Sequence, residues 1–144
     1  MFSLKNRKKI PIYADLVTKK SLTNTFGYCF NDYKNYPSIL DAKTLKNRHI
    51  LNDINSKIVI KSLKVHHGSI KSICYIINDK CAYAPDVNFI ESKDLRYLKN
   101  LKYFIVDCLR YNFHPTHFNL DDVLKLIRKL KPKKAILTNL SNEI

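Results

Sequence analysis

His67 and Asp86 are the residues whose types and setting first suggest chemistry. His67 closes the run "SKIVIKSLKVHH" just before Gly68, and Asp86 stands in the Pro-Asp turn of "CAYAPDV". A second pair, His114 and His117, lies in "HPTH", after a strand-like run that ends at Asp107. Side chains at the carboxyl ends of neighbouring strands converge on one edge of a sheet, where α/β folds usually place their chemistry. A two-metal hydrolytic site needs imidazole nitrogens and a carboxylate able to bridge both ions, which together generate a hydroxide for attack on an ester or phosphodiester. His67 and Asp86 have those types. The same residues also suit a purely local role, since Asp is a favoured turn residue after Pro85 and His67 borders the turn at Gly68.

The elements that must position these residues follow from patterning. "KIPIYAD" reads as a strand, with Asp15 capping a helix through "LVTKKSLTNTFGYCF" whose apolar face carries Leu16, Leu22 and Phe26. Residues 31–55 are polar, aromatic and irregular, and read as a long loop with a short strand at "SIL". "SKIVIKSLKV", "SICYIIN" and "CAYA" form an antiparallel meander, the last two joined by the hairpin signal "NDK". "SKDLRYLK" predicts a short helix and "KYFIVDCL" a buried strand. "NLDDVLKLIRKL" is an amphipathic helix with Asn119 as its cap, and "KKAILTNL" a closing strand. The sum is an α/β domain with a mixed sheet and helices on its flank.

Composition narrows the function classes. The 144 residues fit one domain with a real core, and no apolar run approaches the length of a membrane-spanning helix. The N-terminus "MFSLKNRKKIPIYADL" has a basic patch but no apolar core or small-residue cleavage site of a secretory signal, so the expected location is the cytoplasm, without membrane attachment. Four scattered cysteines, without a C-x-x-C pair, read as reduced packing residues. The net charge of +14 meets the electrostatic criterion for a polyanion partner. Only five of the 26 basic residues are Arg, and no nucleic-acid-binding motif accompanies them. A basic RNA-binding module is therefore kept as the minor alternative.

In combination, "IPIYAD", "FGYCF", "HGSIKSICYII", "AYAPDVNFI" and "LKYFIVDCLRYNFHPTHFNLDDVLKLIRKLKPKKAILTNLS" resemble the metallo-β-lactamase fold. The likeness is nearest to its subgroup around the phosphonate-pathway cyclic phosphodiesterase and the tRNA 3′-processing ribonuclease. It implies a partial αββα sandwich over residues 10–144, preceded by a basic segment at 1–9. It further implies a hydrolase with two zinc or manganese ions, bound by His67 rather than His66 and bridged by Asp86. His117 would act beside the scissile phosphate as a proton donor, with His114 as its companion.

Two departures from the family pattern bear on activity. No His-x-His-x-Asp-His cluster occurs in the sequence, and Asn139 and Asn142 in "LTNLSN" stand where the family carries histidines. A neutral carboxamide is a poor substitute for imidazole as a zinc donor. Of the family's ligand set only His67 and Asp86 remain, fewer than the three or four protein donors that one zinc ion requires. The chain is thus read as an internal and C-terminal piece, a truncated remnant without hydrolytic activity of its own. The alternative is one half of a split metallohydrolase completed by a separately encoded N-terminal half. Either reading expects exposed strand edges and self-association through them.

Overall fold

The computed structural model describes residues 2–6, 8–53 and 55–144, so Met1 and Arg7 of the basic segment, and Ile54, lie outside the described residues. Two compact units are present, divided between Lys46 and Asn47.

The first unit contains α1 (Phe2–Asn6), β1 (Ile10–Ala14), α2 (Leu16–Thr25), α3 (Gly27–Phe30) and β2 (Leu40–Thr44). Strands β1 and β2 pair in parallel from Ile10 opposite Leu40 to Ala14 opposite Thr44. Asp15 caps α2 as its position predicts, its side chain accepting from the Thr18 N–H at 2.8 Å. The expected continuous helix through Phe30 is broken at Phe26, after which α3 forms a single turn. Its expected apolar face is only partly covered: Leu22 is half-buried, while Leu16 is 71% exposed and Phe26 44%. A two-stranded sheet offers too little surface to bury it.

The second unit is built on a six-stranded sheet in the order β3 (Arg48–Asp53), β4 (Ser56–His67), β5 (Ile70–Ile77), β6 (Cys81–Ala84), β7 (Tyr103–Asp107) and β8 (Lys134–Thr138). The first four strands are antiparallel, and β6, β7 and β8 are parallel, so the sheet is mixed as expected. The long loop expected over residues 31–55 is corrected by β2 and β3. Both are short and polar, with too little alternation to register in the sequence, and both gain their definition from ladder bonds to β1 and β4. Of "SIL", only Leu40 lies in a strand.

Inward residues alternate along the central strands: Val65, Cys74 and Ile76, Ala82 and Ala84, and Phe104 and Val106 are all buried. Helix α4 (Leu120–Leu130) adds Val123 and Leu130 to this core. Asn119 caps α4 by accepting from the Asp122 N–H at 2.9 Å. The predicted short helix near residue 95 is a 3-10 turn, Leu95–Leu98, that buries Leu95 and Leu98. Among the described residues, no helix is long and apolar enough to cross a membrane.

Candidate functional site

Strands β4, β6, β7 and β8 run in the same direction, because β4 and β6 are each antiparallel to β5 while β7 and β8 are parallel to β6. Their carboxyl ends therefore share one sheet edge. That edge receives His67 from β4, Pro85 and Asp86 after β6, Asp107 at the end of β7 and Asn139 after β8. The loop from Arg110 to Phe118 brings His114 and His117 to the same place. The His67 and His117 rings meet edge to face with centroids 4.6 Å apart, and His114 and His117 lie 5.1 Å apart.

A set of local bonds fixes this arrangement. Gly68 adopts φ +64, in the left-handed region, and a Cβ there would come within 2.7 Å of Thr116 Cγ2. The closeness lets His67 Nδ1 reach the Thr116 carbonyl at 2.8 Å. A carbonyl only accepts, so Nδ1 of His67 is the donor in this bond, which leaves Nε2 as the ring nitrogen available to a metal, the arrangement a metal-ligating histidine uses. Asn88 ties the two loops together: its Oδ1 accepts from the Gly68 N–H at 3.0 Å and its Nδ2 donates to the Pro115 carbonyl at 2.9 Å. His66 is turned away, with Nε2 2.7 Å from Glu91 Oε1.

Asp107, which sequence reasoning used only to mark the end of a strand, is central to the site. Its side chain is fully buried, and Oδ2 lies 2.5 Å from His117 Nδ1 and accepts from the Val87 N–H at 3.1 Å. Oδ1 is buried without a partner among the described residues. Burial pushes the Asp107 carboxyl above the usual range, against the opposing pull of the Val87 N–H, His117 and Asn139. The available signal was a lone carboxylate ending the apolar run "YFIVD". His117 is thereby held by a carboxylate at Nδ1, which leaves Nε2 as the nitrogen that can donate or accept a proton.

His114 is held differently. Its Nδ1 accepts from the Thr116 N–H at 3.3 Å, and desolvation and then the Arg110 guanidinium push its pKa below the usual imidazole range.

Asn139, expected from the sequence at a lost ligand position, sits in the left-handed region at φ +60 and donates from Nδ2 to the Pro85 carbonyl. It thus closes the gap between the ends of β6 and β8 through a hydrogen bond. Asp86 is exposed, and its main-chain carbonyl accepts from the Ser72 hydroxyl. Among the described residues, no three His, Cys, Asp or Glu side chains converge as a metal site. His67 suits a zinc or manganese ion as a single donor, but the side chains present do not make up a two-metal centre.

The sequence matches the Beta-lactamase superfamily domain over residues 1–138. The chain belongs to this superfamily. No curated protein sequence matches it. Among solved structures, the superfamily fold is shared with a diphosphatase of the PhnP family, at 24% identity and a TM-score of 0.80 over 95% of this chain and 49% of that one. The protein YhfI from Bacillus subtilis aligns at 17% identity with a TM-score of 0.67, covering 96% of this chain and 55% of its own. The short form of human tRNase Z aligns at 13% identity with a TM-score of 0.64, covering 94% and 62%. The chain therefore spans about half of these superfamily structures. The mixed sheet with its few helices is a partial metallo-β-lactamase fold.

Proposed function

We propose that this chain is a catalytically silent remnant of a metal-dependent phosphodiester hydrolase. It retains the free Nε2 of His67, the Asp86 carboxylate and the Asp107-supported His117, while lacking the donors needed to hold a metal pair. The observation that carries this reading is the pairing of a well-built His117–Asp107 contact, at 2.5 Å, with a carboxamide at position 139 that bonds to the Pro85 carbonyl. The proton-handling side of a hydrolytic site is present, and its metal-holding side is reduced to His67 and Asp86. A metal, where held, would supply an activated water. His117 would move a proton at Nε2 beside the phosphate, and Asp107 would hold the imidazole in the required tautomer.

A second reading is one half of a split metallohydrolase, in which a separately encoded chain supplies the donors that His67 and Asp86 lack. The first test is hydrolysis of bis-p-nitrophenyl phosphate by the purified chain with excess zinc or manganese. No rate above the metal-only blank is expected, and clear turnover would overturn the reading. Rescue of turnover by a co-expressed polypeptide carrying the His-x-His-x-Asp-His cluster would decide for the split enzyme.

A further inference from the structure

A cleft of about 610 Å³ lies along β4, several residues before His67 and outside the histidine cluster. It opens where β3 leaves the sheet. The Ser62 N–H donates to the Asn47 carbonyl at 3.0 Å, and the His66 N–H donates to the Phe89 carbonyl at 2.9 Å. Because main-chain groups alternate sides along a strand, the Lys64 peptide faces the same way as these two, into the interval between them.

The walls of the cleft combine two chemistries. Arg48 and Lys93 are exposed cations on it, whereas Lys64, next to Leu63 on the strand, turns its side chain to the opposite sheet face and lines the cleft with its main chain. Leu63 and Ile76 supply an apolar floor, and Tyr97, 45% exposed, offers a ring face. Arg96 steadies that ring, with its guanidinium carbon 4.8 Å from the centroid and Nη2 donating to the Tyr97 hydroxyl at 2.8 Å. Two acids bear on the charge balance. Lys61 is engaged by Asp79 at 2.7 Å and so adds little free charge, and Asp94 on the rim offsets one of the two remaining cations. The result is a net positive cleft with a flat apolar surface at its side.

We propose that this cleft binds a phosphorylated nucleoside, either free or as a nucleotide of single-stranded RNA. The guanidinium of Arg48 and the ammonium group of Lys93 take the phosphate, with the Lys64 peptide N–H as a further donor. The base lies on Tyr97 over Leu63 and Ile76, a stacking contact that accepts any base. The proposal is independent of hydrolysis, because it uses none of His67, Asp107 or His117.

The test is titration of the isotopically labelled full chain with AMP at low salt, followed by amide chemical shifts, beside fluorescence anisotropy of a labelled oligoadenylate. Shifts are expected at Ser62, Lys64 and Tyr97, and shifts confined to other parts of the chain, or none, would overturn the proposal. Arg48→Glu combined with Lys93→Glu should weaken oligoadenylate binding by roughly tenfold or more and lower its salt dependence. Arg128→Glu combined with Lys129→Glu, an equal charge change on α4, should alter it by less than about twofold. Equal losses in the two double variants would mean a diffuse charge effect and sink the proposal. Tyr97→Ala, which removes the ring together with its contact to Arg96, should weaken binding without that change of charge. Competition by AMP alone assigns the cleft to a free nucleotide, and binding of the oligomer without such competition assigns it to RNA.

Discussion

His117 Nδ1 lies 2.5 Å from Oδ2 of Asp107, a carboxylate with no exposed side-chain surface. A buried carboxyl serving one imidazole and one peptide N–H gives stability and chemistry the same dependence on a single side chain.

Replacing Asp107 should reveal that dependence. Asp107→Ala leaves the Val87 N–H and the His117 Nδ1–H without their acceptor and is expected to cost about 1–3 kcal/mol in urea unfolding. Asp107→Asn keeps an acceptor and should cost less. The pH dependence has a defined sign. Burial raises the Asp107 pKa in the folded chain, so the folded state binds more protons than the unfolded one between the ordinary carboxylate value and the raised value. Stability contributed by this group is thus present at low pH and lost as pH rises through that interval. Wild type should lose stability relative to Asp107→Asn over the same rise.

Gly68 and Asn88 should behave as one positioning unit. Gly68→Ala places a methyl group 2.7 Å from Thr116 Cγ2 at φ +64. A loss of about 1–3 kcal/mol in thermal unfolding is expected. Asn88→Ala removes the bonds to Gly68 and Pro115 and should broaden or shift the His67, His114 and His117 ring signals in NMR while leaving α4 unchanged. Unchanged ring signals would show that the loop is held by other contacts.

Much of this fold could be read from the sequence where apolar alternation was strong, as in β4, β5, β7 and α4. It failed where partners rather than residues define the element: β2 and β3 are polar edge-like segments, and α2 presents Leu16 without a surface to bury it. At the site, His67, His114 and His117 were legible because imidazoles are scarce and lie next to turns. Asp107 and Asn88 were not, because their importance comes from a contact across 10 residues to His117 and contacts across 20 and 27 residues to Gly68 and Pro115. Sequence spacing alone does not announce such contacts.

The cysteines offer a test of the core. All four are free thiols, Cys74 and Cys108 are buried, and burial pushes the Cys74 thiol up to about 12. Since the thiolate is the reactive form, Cys74 and Cys108 should react with Ellman's reagent only after unfolding in guanidinium. Native labelling should stop at Cys29 and, more slowly, Cys81, whose pKa burial also raises. Fast native reaction of all four would contradict the packing.

Asn139→His should restore part of the missing metal side. Histidine tolerates the left-handed region better than most residues, and the backbone there is at φ +60. With a third donor beside His67 and Asp86, zinc affinity should rise by roughly tenfold, about 1.4 kcal/mol, in a competition titration against a chromophoric chelator. No gain would place residue 139 outside reach of the other two donors.

The most direct measurement is the zinc content of the wild-type chain after loading and gel filtration in metal-free buffer. Well below one zinc ion per chain is expected, because His67 and Asp86 fall short of the three or four protein donors a zinc ion requires. Retention of close to two ions per chain would contradict the proposal that this superfamily member is silent by itself.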